Sequence, residues 1–133
     1  EIASCLVGSE MCIRDSKGRE RWSTIVREAA KQAHRAWVPE VSPPATTADL
    51  AVRAASQRLL LLDPGASTRL SELEPDGRDI VLVVGPEGGI SDEELTKLSD
   101  AGAERVLLGE TVLRTSTAGP AAIAVLSVAL GRW

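Results

Sequence analysis

Ile80-Val81-Leu82-Val83-Val84-Gly85-Pro86-Glu87-Gly88-Gly89 is a run of five aliphatic residues broken at once by a glycine-rich loop, and its reading decides the fold. No polar residue alternates within the run, and four of the five are β-branched except for Leu82, so the stretch predicts a strand buried on both faces. Strands of that kind belong to parallel sheets covered by helices, where ligands sit beyond the carboxyl ends. Arg105-Val106-Leu107-Leu108 repeats the arrangement, ending in Gly109-Glu110-Thr111-Val112-Leu113-Arg114-Thr115. A third buried strand, Arg58-Leu59-Leu60-Leu61-Leu62, ends in the turn Asp63-Pro64-Gly65. The expected class is α/β, a parallel sheet covered by helices.

Working outward, Ser91-Asp92-Glu93-Glu94 has the form of a capping box and predicts a helix that stops near Ala101, with Gly102 as terminator. Thr46 or Thr47 caps a shorter helix running to about Ser56, and residues 67–73 suggest one helical turn. Trp22, Ile25, Val26, Ala29, Ala33 and Trp37 recur at helical spacing until Pro39 stops them, giving an amphipathic helix of about four turns. Its outer side carries Arg21, Arg27, Lys31 and Arg35, preceded by Lys17 and Arg19 and opposed by Glu20 and Glu28. That local excess of cations reads either as a solvated face or as a contact for RNA phosphates. His34, the one histidine, reads as a packing or surface residue and makes no metal site alone. The final segment, GPAAIAVLSVAL, is apolar nearly all round and needs enclosure by the fold or by a second subunit; Thr115, Ser116 or Thr117 would cap it, with Pro120 in the first turn.

A chain of 133 residues supports one core, and 44% hydrophobic with 26% charged residues excludes a disordered chain. With three Trp and neither Phe nor Tyr, the core is aliphatic and no platform exists for stacking several bases. Net charge is −4, so attraction for nucleic acid would be local. No apolar run is long enough to span a membrane. Cys5 and Cys12, with six residues between them, fit neither a redox pair nor half a zinc site, and free thiols point to the cytoplasm. The stretch 1–16, EIASCLVGSEMCIRDS, shows neither helical nor strand periodicity and no secretory signal; it resembles a translated adaptor sequence and is expected to lie outside the fold, leaving residues 17–133 as the domain.

The glycine loop is not a polyphosphate cradle. No Lys-Ser or Lys-Thr follows the glycines, and the spacing is not GxGxxG. Glu87 lies within the loop and Asp92, Glu93 and Glu94 begin the next helix, so the carboxylates themselves complement the helix dipole and would repel phosphate. A neutral or cationic ligand is expected; a tight turn with no ligand is the simpler alternative.

Val81 to Leu95, with the loop Gly85-Pro86-Glu87-Gly88-Gly89, followed by Leu107-Leu108-Gly109-Glu110-Thr111-Val112-Leu113-Arg114-Thr115-Ser116-Thr117-Ala118, resembles the carboxyl-terminal half of the RsmE family, ribosomal RNA methyltransferases of the SPOUT superfamily. Arg21-Trp22, Arg27-Glu28-Ala29-Ala30-Lys31-Gln32 and Val38-Pro39-Glu40-Val41 also resemble it. The chain departs from it at Ser116, where members often carry Glu, and at Glu110-Thr111, where they commonly carry Pro-Arg.

The resemblance implies a SPOUT-type fold with a carboxyl-terminal trefoil knot, a homodimer, and methylation of uridine N3 in small-subunit ribosomal RNA with S-adenosylmethionine as cofactor, without metal or membrane. By the same analogy the cofactor is held by Leu61, Leu62, Gly85, Pro86, Glu87, Gly88, Gly89, Leu108, Gly109, Val112, Leu113 and Thr115. The family's β-barrel RNA-binding domain and the first strand and helix of its methyltransferase domain have no counterpart in the residues matched, which would leave a sheet edge open. Arg114 is the candidate for steadying negative charge on the uracil oxygens, and Glu87 a weaker candidate proton acceptor; a salt bridge from Arg114 to Glu87 or Glu110 is the structural alternative. A non-catalytic RNA-binding or dimerisation fragment is the rival function.

Overall fold

A computed structural model describes residues 2–6 and 16–133. The chain forms two compact units: Thr46–Trp133 together with the amino-terminal strand, and the segment before residue 46 that carries the long helix.

In the larger unit four parallel strands, β1 (Ile2–Leu6), β2 (Arg58–Leu62), β3 (Ile80–Val84) and β4 (Glu104–Val106), lie in the order β1-β3-β2-β4. All five residues of β3 are buried, as its unbroken aliphatic run requires. Strand periodicity divides the core in two. Leu59, Leu61, Val81 and Val83 face α2 (Thr47–Ala54) and α3 (Asp92–Asp100) through Leu50, Ala54, Leu95 and Leu98. Leu60, Ile80, Leu82, Val84 and Val106 face α4 (Thr115–Ala129) through Ala118, Ala122 and Leu126, with Leu70 of a short 3-10 turn (Leu70–Glu72). Each fully buried Leu or Val contributes about 1.5–3 kcal/mol, so aliphatic layers of this depth hold the sheet without Phe or Tyr.

The stretch expected to stand outside the fold supplies β1. Ile2 to Leu6 pair residue by residue with Ile80 to Val84, covering the edge of β3 that would otherwise be open. The pairing is non-local, so no turn signal near residue 6 announces it. Cys12 and the rest of residues 7–15 lie outside the described residues.

The expected capping box of Ser91 with Glu94 opens α3, and of the two candidate caps Thr46 opens α2, forming a second box with Asp49. Glu94 also accepts a bond from the Thr47 hydroxyl at 3.3 Å, joining the two helix starts. Strand β4 is shorter than expected, because Leu107 leaves the sheet ladder to pair with residues 68–70 (Leu107 N–H to Thr68 O, 2.8 Å; Leu70 N–H to Leu107 O, 2.9 Å). Arg114 takes the N-cap position of α4 with no side-chain cap bond, so Pro120 is the sixth residue of the helix rather than a first-turn residue. Enclosure of α4 is one-sided: Ile123 and Val128 remain exposed.

In the second unit, α1 (Ser16–Gln32) ends before Trp37. His34 adopts φ +50°, and bonds from Arg35 N–H to Ala30 O (3.0 Å) and from His34 N–H to Lys31 O (3.1 Å) close the helix in a Schellman turn. Trp37, expected on the buried stripe, is 57% exposed. Among the described residues no helix is long and apolar enough to cross a membrane, and no cluster of three or more His, Cys, Asp or Glu gathers.

Candidate functional site

The carboxyl ends of β2, β3 and β4 lie side by side, and the loops leaving them meet. After β3, the chain turns at residues 86–89, closed by the Gly89 N–H to Pro86 carbonyl bond (2.8 Å) with Gly89 at φ +80°. A side chain at Gly85 would strike Ile90: its Cβ would lie 2.9 Å from Ile90 Cγ1 and 3.1 Å from Ile90 N. The loop therefore folds tightly back on the strand end only because residue 85 is glycine. Gly88 has open space where a Cβ would be, so its backbone is free to be approached.

The second loop is tied to the first by one bond. Thr115 Oγ1 donates to the Gly85 carbonyl at 3.0 Å, across thirty residues of sequence, in a half-buried position. This hydroxyl, one of the three candidate caps of α4, is instead spent on the neighbouring loop. Pro86, Glu87, Gly88 and Gly89 are thus gathered beside the start of α4, with residues 109–114 leading into it. Of that second loop, Val112 and Leu113 are exposed apolar side chains, 77% and 38% accessible, while Leu108 and Gly109 are half-buried.

A third tie joins the ends of β2 and β4. The Asp63 carboxylate accepts the Gly65 N–H at 2.9 Å and pairs with the Arg105 guanidinium, and Asp63 N–H donates to Val106 O at 3.0 Å. Nothing in the sequence reading paired Asp63 with Arg105; a turn residue and a cation forty-two positions later have no common local signal. Leu62, the last residue of β2, reaches the site edge opposite Val106, whereas Leu61 is fully buried in the core beneath α2 and α3 with its backbone inside the ladder. Leu61 therefore presents no side chain to the cleft.

The charges divide clearly. Arg114 is exposed, its carbonyl accepting Thr117 N–H and Ala118 N–H at 2.8 Å each, and its guanidinium has no carboxylate partner among the described residues. The alternative of a bridge to Glu87 or Glu110 does not form among the described residues; Glu110 lies 3.8 Å from Arg69. Glu87 is likewise exposed and unpaired among the described residues. Glu93 pairs with Lys97 at 2.8 Å, and hydrogen bonding from that ammonium lowers its pKa. One cation, Arg114, stands free beside a cleft otherwise flanked by carboxylates.

At the amino end of the sheet, Arg58 holds Glu104 through two 2.8 Å bonds and Glu74 O at 2.6 Å. Its pKa is raised, mainly by hydrogen bonding to Glu104. Those groups satisfy one another and brace the strands from the end opposite the cleft.

Residues 5–127 match the family described as an RNA methyltransferase domain. The chain is 43% identical over 126 residues to the ribosomal RNA small subunit methyltransferase E of Mycobacterium bovis, covering 90% of this chain and 48% of that protein. It is 37% identical over 120 residues to the Synechocystis protein of the same name, covering 84% of this chain and 39% of that one. A crystal structure of ribosomal RNA small subunit methyltransferase E from Neisseria gonorrhoeae bound to S-adenosyl methionine superimposes with a TM-score of 0.83 at 31% identity, covering 92% of this chain and 52% of that one. The chain spans about half the length of the relatives it matches.

Proposed function

We propose, from the premise that this chain belongs to the RNA methyltransferase domain family, that it is the cofactor-binding part of an enzyme that methylates N3 of a uridine in small-subunit ribosomal RNA with S-adenosylmethionine. The observation that carries the reading is the Thr115–Gly85 bond, which makes two strand-end loops into one cleft where open parallel sheets bind ligands. The donor set fits a sulfonium cofactor. Backbone groups at Pro86, Gly88, Gly89, Leu108 and Gly109 suit an adenosine, as do Leu62, Val112, Leu113 and, through its backbone, Thr115. Leu61 contributes by shaping the strand end. Glu87 and the carboxylates opening α3 favour a positive charge and disfavour a polyphosphate.

When bound, the cofactor supplies a methyl group on a positively charged sulfur; the transfer breaks that S–C bond, forms N3–C, and requires the N3 proton to leave. The chain's part is mostly positioning. Arg114, free of carboxylate partners, neutralises negative charge that develops on the uracil oxygens as the proton departs. Glu87 is the carboxylate within the glycine loop available to take that proton, directly or through water.

The exposed Ile123 and Val128 of α4, with Val112 and Leu113 nearby in sequence, favour a homodimer in which that apolar surface is covered. The path of the chain suits a trefoil knot: α3 crosses on one sheet face, and α4 returns on the other beside the connection holding Leu70. A ribosomal substrate places the activity in the cytoplasm.

Calorimetric titration with S-adenosylhomocysteine tests the reading. One site per chain, bound more tightly than ATP or NAD, is expected; tighter binding of either nucleotide, or no binding, overturns it. Arg114→Ala should leave that affinity within about twofold while lowering methyl transfer to small-subunit RNA by about 100-fold.

A further inference from the structure

The compact unit that carries α1 is where cations collect. Residues 16–41 contain Lys17, Arg19, Arg21, Arg27, Lys31 and Arg35 against Glu20, Glu28 and Glu40, in a chain whose net charge is −4. Pairing differs in the same direction, although Arg53, Arg114 and Arg132 of the sheet-bearing unit have no carboxylate partner among the described residues. In the sheet-bearing unit Arg58, Arg69, Arg78, Lys97 and Arg105 each lie within 4 Å of a carboxylate. Among the described residues of the α1 unit only Lys31 does so, with Glu28 at 2.9 Å; Arg21, Arg27 and Arg35 are exposed with no carboxylate partner among those residues. Arg19 is held at 3.2 Å by the Val41 carbonyl, which fastens the segment after the helix back to its start.

A second observation is the tryptophan beyond the helix. The left-handed turn at His34 ends α1 and leaves Arg35 and Trp37 outside it, where the Arg35 guanidinium lies 5.3 Å from the Trp37 ring centroid. An indole left 57% exposed, with a cation stacked on one side, retains an accessible flat surface. Burial of an apolar stripe would have hidden it; the Schellman turn prevents that. Unpaired arginines with a planar ring form the combination that holds single-stranded nucleic acid: cations take phosphates while the ring takes one unpaired base. A merely solvated helix face accounts for the charges but not for the Arg35–Trp37 stack.

We infer that this unit is an RNA-binding surface, in which Arg21, Arg27, Lys31 and Arg35 contact phosphates and Trp37 stacks on an unpaired base. The inference rests on the reading that the chain acts on RNA, but not on where the cofactor sits.

The test is fluorescence anisotropy of the whole chain with a labelled 12-nucleotide single-stranded RNA, from 50 to 200 mM KCl without cofactor. Four phosphate contacts give a slope of about −3 in log K against log salt. R27E/R35E should bind at least about tenfold more weakly at 50 mM salt with a slope nearer about −1.5, and the milder R27Q/R35Q should show the same change of slope. W37A should lose about tenfold in affinity with its slope unchanged, whereas R35K keeps the slope. An unchanged slope in both double variants, a W37A affinity within twofold of wild type, or duplex RNA bound as tightly as single strand overturns the inference. Circular dichroism checks that each variant keeps its helices. Titration of the same variants with S-adenosylhomocysteine separates the two proposals: a wild-type chain that binds RNA in this way but not the nucleoside removes the methyl-transfer reading and leaves this one standing.

Discussion

Removing the Thr115 hydroxyl tests the one bond on which the cleft depends. Thr115→Val keeps the β-branched shape while deleting the donor to Gly85 O. A net intramolecular hydrogen bond is worth about 1 kcal/mol, and leaving a half-buried carbonyl short of its partner costs up to about 1 kcal/mol more. The expected loss is therefore about 1–2 kcal/mol. With an unfolding entropy of about 2.1 cal/mol/K per residue, each kcal/mol moves the midpoint of a chain this size by about 4 °C, so Tm should fall by about 4–7 °C. Thr115→Ser retains the donor and loses only a half-buried methyl, so its fall should be less than half as large. Affinity for S-adenosylhomocysteine, measured by calorimetry at a temperature where all three proteins are folded, should drop about tenfold in T115V and recover in T115S, following the loss of about 1.4 kcal/mol per decade. Equal melting of T115S and T115V, or a T115V midpoint within about 1 °C of wild type, refutes the argument that the hydroxyl joins the loops.

Gly85→Ala places a methyl 2.9 Å from Ile90 Cγ1 and 3.1 Å from Ile90 N, so denaturant titration should show a loss of about 1–3 kcal/mol, whereas Gly88→Ala, with open space around its Cβ, should be near neutral. If G88A nonetheless loses nucleoside affinity, the ligand approaches that backbone closely; if G85A is as stable as wild type, the tight return of the loop is misread. His34→Gly relieves the left-handed residue at the end of α1 and should raise amide-exchange protection over residues 30–35 by about 0.5–1 kcal/mol, with reduced protection as the contrary result. Asp49 and Asp76 both have pKa values lowered from 3.8, the first by bonds from Thr46 and the second by bonds from Arg78. Depressed carboxylates stabilise the fold above their unfolded pKa and cease to do so as pH falls through the folded value, so the urea midpoint should decline below about pH 4 and D76N should shallow that decline; an unaltered profile in D76N would contradict it.

Local signals carried much of this fold. The aliphatic runs gave β2 and β3, the Ser91/Glu94 spacing gave the start of α3, and a threonine cap at 46 or 47 gave that of α2, since periodicity and capping act within a few residues. What escaped was decided at a distance or against propensity. Ile2–Leu6 becomes a strand because β3 has an unpaired edge, not because of its own pattern. α1 stops at a histidine in a conformation that glycine usually supplies, so the apolar spacing pointed on to Trp37 past the true end. At the cleft, the glycine loop was legible from its sequence, but the Thr115–Gly85 and Asp63–Arg105 ties span thirty and forty-two residues. Only the folded sheet brings those partners together.

The distribution of charge follows from the two molecules the chain is proposed to join. A sulfonium donor is drawn to carboxylates, and RNA is repelled by them, so a single electrostatic surface could not serve both. Glu87, Asp92 and Glu93 flank the glycine loop, while Arg21, Arg27 and Arg35, without carboxylate partners among the described residues, lie in the α1 unit. Arg53, Arg114 and Arg132 of the acidic unit also lack a carboxylate partner among the described residues, and of these Arg114 is the one in the loop that leads into α4. On the proposed reading its task arises only when the base arrives and negative charge develops on the uracil oxygens. A guanidinium already neutralised by Glu87 or Glu110 would offer less to that charge than to its own partner. Glu110 lies instead 3.8 Å from Arg69, so it does not compete for Arg114.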